Sequence, residues 1–87
     1  MNRPRWVACI ATVEWRAGGR GYEEPVAVRS GSRRLRVSVE ERHVESGASA
    51  GSPLRRVFSV RDELGGRWRI AIGEDGRAMV ERARLIP

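Results

Sequence analysis

Residues 56–80 read RVFSVRDELGGRWRIAIGEDGRAMV, and this stretch decides the fold. Apolar and polar residues alternate with a period of two, which is typical of β-strands that bury one face. Two three-residue segments that end in glycine, 63–65 and 74–76, interrupt the alternation. A type I turn followed by a G1 bulge has this length and this glycine. The stretch therefore predicts three antiparallel strands joined by two tight hairpins.

The loop lengths also predict which residues face one another across these hairpins. Val60 is expected to face Trp68. Phe58 is expected to face Ile70, which in turn faces Val80. Both registers bring apolar side chains together, and a slip of one residue would turn all of them to the opposite face of the sheet.

The first half of the chain continues the strand pattern. Residues 6–15 (WVACIATVEW) are apolar on both faces and predict a central strand that is covered on both sides. Residues 25–29 and 34–39 predict a hairpin around a type II′ turn at 31–32, where glycine comes first. The register of that hairpin pairs Val28 with Leu35, Val26 with Val37, and Arg29 with Arg34.

We therefore expect a single all-β domain over residues 1–87, formed by an antiparallel meander of about six strands. A half-open barrel or a strongly bent sheet would bury the inner face of so small a meander. Residues 45–53 (ESGASAGSP) are small and polar and predict a mobile loop within the domain. Residues 25–29, with a proline that cannot donate to a ladder, and residues 78–86 are the predicted edge strands.

Every basic residue of the chain is arginine: the sequence has 17 Lys+Arg, with no lysine, and 11 Asp+Glu. The formal net charge of +6 and the pI of about 11.3 indicate an attraction for anions such as nucleic acid or an acidic protein surface. Lysine and glutamine are both absent, which is typical of a GC-rich genome. The number of arginines therefore says less than their positions.

Nothing in the sequence predicts an enzyme, a metal site or a cofactor. A zinc site needs several cysteine or histidine ligands at short spacing, and the chain has only Cys9 and His43. We expect Cys9 to be a buried structural thiol and His43 to lie on the surface. The glycines at 18–21 do not have the order of a dinucleotide-binding loop. The adjacent carboxylates at 40–41 are expected to project to opposite faces of a strand, where they could not act as an acid and base pair.

The cellular location follows from what the sequence lacks. No apolar run is long enough to span a bilayer, and the N-terminal residues do not have the apolar core of a signal peptide. A single cysteine fits a reducing compartment. We therefore expect a cytoplasmic protein that does not bind membranes.

The predicted registers place arginines on the outer faces of two hairpins. In each hairpin two arginines face each other, which costs up to about 1 kcal/mol for like charges directly opposite. A bound anion would remove this repulsion. Nearby carboxylates could remove it as well, so an anion-binding face and a self-compensated surface both stay open. The arginines are Arg29, Arg34 and Arg36 in one hairpin and Arg61, Arg67 and Arg69 in the other, and the candidate neutralising residues are Glu40, Asp62, Glu63 and Glu81, with Arg69 opposite Glu81.

Three tryptophans could take part in base stacking, since small β-domains often hold single strands with aromatic side chains. Trp68 belongs to the predicted inner row. Trp6 and Trp15 mark the ends of the first strand and are the candidate stacking residues, with a role in the core or at an edge as the alternative.

Four segments of the chain have a familiar arrangement: YEEPVAV at 22–28, RRLRV at 33–37, RVFSV at 56–60, and a closing strand, turn and strand around Trp68. From about residue 20 to 84 they resemble a family of small bacterial all-β domains of unknown function. Members of that family carry a tryptophan near the position of His43. The resemblance implies an all-β fold and no particular activity.

The leading hypothesis is a non-enzymatic basic β-domain that binds single-stranded or structured nucleic acid with little sequence preference. The six arginines would contact phosphates, and Trp6 or Trp15 would stack with bases. The alternative is a protein-interaction module, which would bind an acidic protein surface or pair through an edge strand as a homodimer or as a subunit of a larger assembly.

Overall fold

The computed structural model describes residues 4–17, 23–46 and 54–85. These residues form seven strands in one antiparallel sheet that curls into an open half-barrel, in the order β1-β7-β6-β5-β4-β3-β2. The prediction of an all-β meander is confirmed. The strands are β1 (Pro4–Cys9), β2 (Thr12–Ala17), β3 (Glu23–Ser30), β4 (Arg33–Glu45), β5 (Arg55–Asp62), β6 (Arg67–Gly73) and β7 (Ala78–Leu85).

The predicted first strand is two strands, and neither is central. Ile10 and Ala11 separate β1 from β2, and the Ile10 side chain is 99% exposed. β1 pairs with β7 while β2 pairs with β3, so two successive strands form the two ends of the sheet. The prediction of a strand covered on both faces was wrong because only alternate residues, Cys9, Ala11, Val13 and Trp15, pack against the core.

The predicted edge strands are also interior. β3 lies between β2 and β4, and β7 lies between β1 and β6. Pro25 fits inside the sheet because the β3–β4 ladder ends at Ala27 and Arg36, so its missing N–H has no partner to lose on that side. Val26 accordingly does not pair with Val37, which pairs with Asp62 of β5 instead.

The hairpin turns are confirmed, and so are the predicted residue pairs other than Val26–Val37. Gly31, Gly65 and Gly76 have φ values of 61°, 88° and 77°, the left-handed conformation that the predicted turns require. The pairs Val60–Trp68, Phe58–Ile70 and Ile70–Val80 form as expected. Of the predicted mobile loop at 45–53, residues 47–53 lie outside the described ranges, and Glu45 is the last residue of β4.

One long bent strand, β4, connects the two parts of the sheet. Its first residues pair with β3, and from Val37 onward it pairs with β5. A bulge between Val39 and Glu41 shifts the register, and such bulges bend the strand that carries them. Alternate side chains fill the inner face, and the others point outward, where the six arginines predicted for the outer face lie; the buried core cluster is Val28, Leu35, Phe58, Val60, Trp68, Ile70 and Val80.

The described ranges contain strands and turns only. None of their residues forms a helix that could cross a bilayer.

Candidate nucleic-acid interface

The two arginine pairs expected on the outer face are present. Arg29 lies directly opposite Arg34 on the β3–β4 ladder, and Arg61 lies opposite Arg67 on the β5–β6 ladder. Like charges in these positions repel each other. The surroundings of each pair therefore decide whether the repulsion is already neutralised within the protein.

Glu14 bridges the first pair. It projects from β2 opposite Ala27, and its Oε2 atom accepts hydrogen bonds from the Nε atoms of Arg29 and Arg34, both at 2.8 Å. The hydrogen bonds from Arg34 and Arg29 lower the pKa of Glu14 from 4.5 to about 2. We call these three residues the Glu14 cluster. The sequence did not indicate Glu14 as a partner because the strand that carries it was expected elsewhere in the sheet.

Glu40 holds the second pair more loosely. Its Oε2 lies 3.5 Å from Nη2 of Arg61, and its Oε1 lies 3.9 Å from Nε of Arg67. Both distances exceed those of ordinary N–H···O hydrogen bonds. We call Arg61, Glu40 and Arg67 the Glu40 cluster. The guanidinium groups of Arg61 and Arg67 have N–H donors that do not contact Glu40.

The two remaining predicted arginines each have a carboxylate partner. Nε of Arg36 lies 3.7 Å from Oε2 of Glu63, which also accepts a hydrogen bond from the Arg36 backbone N–H at 2.8 Å. Nε of Arg69 donates to Oε1 of Glu81 at 3.1 Å, which confirms the predicted cross-strand pair. All six predicted arginines are thus in contact with glutamates, although not equally closely.

The two candidate stacking tryptophans lie on opposite faces of the sheet. Trp6 lies on the outer face, where the guanidinium carbon of Arg69 is 4.6 Å from the centre of its ring. Trp15 packs edge-on against Phe58 in the core, with ring centres 5.8 Å apart. Trp68, as expected, is on the inner face and only 1% exposed. The structure therefore brings Trp6, and not Trp15, to the arginines.

A shallow concavity of about 500 Å³ lies beside the Glu40 cluster. Glu40 and Glu41 both line it. Glu40 contacts the outward-facing arginines, and Glu41 pairs with Ser59, which lies between two inward-facing residues of β5, so both carboxylates project to the outer face and the expectation of opposite faces was wrong. The bulge of β4 is the physical reason, because it inserts an extra residue and breaks the alternation of side chains. The other lining residues are Trp6, Ser59, Val60, Arg67 and Trp68.

Asp62 does not neutralise the arginine face. It is only 4% exposed, and its Oδ1 accepts hydrogen bonds from the backbone N–H groups of Leu64 and Gly66 at 2.8 and 2.9 Å. Its Oδ2 accepts one from the indole N–H of Trp68 at 2.7 Å. Burial alone would raise the pKa of Asp62, but these hydrogen bonds outweigh burial and the pKa lies below its usual value. Asp62 thus fixes the hairpin loop to the core.

His43 and Cys9 are placed close to expectation. His43 is exposed, and its Nε2 lies 3.0 Å from Oε1 of Glu45. Cys9 is half-buried rather than fully buried, and packs against the core. Among residues 4–17, 23–46 and 54–85, no three His, Cys, Asp or Glu side chains are grouped so that they could hold a metal ion.

Three arginines that the sequence did not single out lie on the β1–β7 ladder. Arg5 pairs with Arg84, and Arg82 pairs with Val7 two residues further along. The alternation of Arg82 and Arg84 in the sequence was a usable signal. The position of Arg5 beside them could not be predicted, because the pairing of β1 with β7 joins distant parts of the chain.

Comparison of the chain with protein-family models, with curated proteins and with solved structures gives no match. The resemblance of residues 20–84 to a family of small bacterial domains stays a prediction.

Proposed function

We propose that the chain binds single-stranded nucleic acid through the Glu40 cluster, with Trp6 and Arg69 beside it. The observation that carries this proposal is the arrangement of Arg61 and Arg67. They face each other directly across the ladder, and a single glutamate lies between them at 3.5 and 3.9 Å.

The charge and the donors of this cluster suit a phosphate. Two guanidinium groups share one carboxylate, which leaves one positive charge uncompensated within the cluster. Each guanidinium has five N–H donors, and the long contacts to Glu40 leave most of them available. A phosphodiester between Arg61 and Arg67 would accept charge-assisted hydrogen bonds from both and remove their repulsion.

The neighbouring groups favour a nucleic acid over a simple anion. Trp6 lines the concavity, and aromatic side chains are the usual surfaces on which unpaired bases stack. Glu41 lines it too, and forms no ion pair within the described part of the chain. Its carboxylate can accept hydrogen bonds from the amino groups that bases expose. Phosphate, base stacking and base-edge contacts thus have candidate groups on one surface.

The Glu14 cluster is a poorer candidate. The Nε donors of Arg29 and Arg34 are already occupied by Glu14 at 2.8 Å. A phosphate would have to compete with a carboxylate that is held in its charged form by the same two arginines. This part of the outer face is therefore assigned to stability rather than binding.

The test is a salt titration of the purified chain with a fluorescein-labelled 12-nucleotide single-stranded DNA of mixed sequence, followed by anisotropy. Each neutralised phosphate contributes a log–log slope of about −0.7, so the one phosphodiester held between Arg61 and Arg67 predicts a slope of about −0.7. Participation of further arginines would make the slope steeper. The absence of binding at low salt would contradict the proposal. Binding that does not depend on salt would also contradict it and favour a protein-interaction module.

A further inference from the structure

The β1–β7 ladder carries an arginine group separate from the outer face. Arg5 lies directly opposite Arg84, and Arg82, two residues from Arg84, points to the same side of the ladder. All three side chains are exposed. We call Arg5, Arg82 and Arg84 the β1–β7 arginines.

None of these three arginines forms an ion pair with a carboxylate within residues 4–17, 23–46 and 54–85. Each predicted arginine of the outer face, by contrast, contacts a glutamate. The direct pairing of Arg5 with Arg84 is therefore unrelieved by any described acidic residue. A like-charged pair of this kind is unfavourable in a ladder unless an anion lies between its members.

The position of Arg82 is fixed by the core. Its guanidinium carbon lies 5.0 Å from the centre of the Trp68 ring, and the Trp68 indole is itself held by its hydrogen bond to Asp62. Asp62 attracts Arg82 at longer range, but its oxygens already accept three hydrogen bonds. Arg82 is thus oriented without being neutralised, and an oriented guanidinium loses less conformational freedom when it binds an anion.

We propose that the β1–β7 arginines form a second phosphate-binding site. Arg5 and Arg84 bind the phosphate from opposite strands. Arg82, whose guanidinium lies over the Trp68 ring, donates a further hydrogen bond to the same phosphate. The chemistry recognised is a phosphate group with at least two free oxygens on one face. That this phosphate belongs to the same nucleic acid strand rests on the proposed function; a free polyphosphate offers the same chemistry.

The first arm of the test uses inorganic pyrophosphate as the probe. The Nε–Hε resonances of the arginines are followed by NMR in the intact chain during the titration. We expect saturable shifts at Arg5, Arg82 and Arg84, and an affinity at least about 10-fold lower for R5Q/R84Q. The matched control is R33Q/R77Q, which removes two exposed arginines that also form no ion pair in the described ranges. Equal losses in both variants, or equal small shifts at all arginines, would overturn the site.

The second arm repeats the oligonucleotide salt titration with the same variants and separates the two possible ligands. We expect the magnitude of the slope to fall by about 0.7 in R5Q/R84Q, since the contact to one phosphate is lost, and to change little in R33Q/R77Q. Pyrophosphate binding without oligonucleotide binding supports the site, assigns it to free phosphate compounds, and contradicts the proposed function. Oligonucleotide binding with no pyrophosphate shifts and an unchanged slope in R5Q/R84Q overturns the site while the proposed function stands.

Discussion

The Glu14 cluster and the Glu40 cluster contain the same three groups, two arginines opposite each other on a ladder and one glutamate, but their geometry differs. Glu14 accepts hydrogen bonds from both of its arginines at 2.8 Å. Glu40 lies 3.5 and 3.9 Å from its arginines and is more exposed, at 41% against 31% for Glu14. The first cluster is closed by hydrogen bonds, whereas the second is held by charge alone.

The origin of each glutamate explains the difference. Glu14 stands in a ladder position of β2, opposite Ala27 and next to the arginines that it binds. Glu40 is the extra residue of the β4 bulge, and its carboxylate reaches its arginines from outside the regular ladder. The same residue types therefore give either arginines whose Nε donors are occupied or arginines whose donors are available, and the position of the carboxylate decides which. A count of charges would not separate the two.

The largest expected effect is on binding by the Glu40 cluster. Reversal of both charges in R61E/R67E would place three carboxylates together and repel a phosphate. We expect at least a 100-fold loss of affinity for the single-stranded oligonucleotide at low salt, measured by anisotropy, because steering and direct contacts are lost together. The control R33E/R77E changes the net charge equally. An equal loss in the control would show that the net charge, and not this cluster, determines binding.

A smaller loss is expected when the aromatic surface beside the Glu40 cluster is removed. Stacking of one base is worth about 1–3 kcal/mol, so Trp6→Leu is expected to weaken oligonucleotide binding by about 10-fold. Trp15→Phe changes a tryptophan of the core and is expected to leave the affinity unchanged. Oligonucleotide binding by Trp6→Leu that is as tight as that of the wild-type protein would contradict a stacking role for Trp6.

The Glu14 cluster is expected to stabilise the fold in a way that depends on pH. The pKa of Glu14 is lowered to about 2 in the folded chain, from 4.5. A depressed carboxyl pKa stabilises the fold above the unfolded pKa, and this contribution is lost as the pH falls from about 5 towards 2. We expect the urea midpoint of the wild-type protein to fall over this range by more than that of Glu14→Gln. The control is Glu74→Gln, in an exposed turn; the wild-type pH dependence in Glu14→Gln would contradict the assignment.

The smallest expected effect comes from the bridging carboxylate of the Glu40 cluster. Exposed ion pairs are weak, so Glu40→Gln is expected to raise oligonucleotide affinity by only about 3-fold as two arginines become free. Glu74→Gln tests whether the loss of any negative charge does the same. Weaker binding by Glu40→Gln would mean that this carboxylate contacts the nucleic acid itself.

The sequence predicted the local parts of this structure and missed the distant ones. Loop length and glycine position fix a hairpin and its register, so the pairing of Phe58 with Ile70 and the opposition of Arg61 and Arg67 could be derived. The end of β1 before Ile10 could not be predicted, because an isoleucine in a sequence indicates a buried strand residue, whereas Ile10 is exposed. Because the strand is interrupted there, β1 pairs with β7 and β2 pairs with β3. The sequence therefore did not indicate that Glu14 of β2 contacts the arginines of the β3–β4 hairpin.

Within the candidate site, the bulge of β4 was the second feature that the sequence did not show. Nothing in the alternation around Glu40 and Glu41 marks an extra residue, yet the bulge brings both carboxylates to one concavity. The Arg69–Glu81 pair was predictable because both residues belong to a hairpin of known register. Side-chain partners were thus predictable within hairpins and hidden between them.

The most direct test of the difference between the two clusters compares two variants of equal charge, R61Q/R67Q and R29Q/R34Q, in the oligonucleotide salt titration. Thermal unfolding of each variant provides the check that both remain folded at the temperature of the titration. We predict that the log–log slope becomes shallower by about 0.7 in R61Q/R67Q and stays near the wild-type value in R29Q/R34Q. Equal changes of slope in the two variants would contradict the account, since they would show that phosphates do not distinguish the open cluster from the closed one.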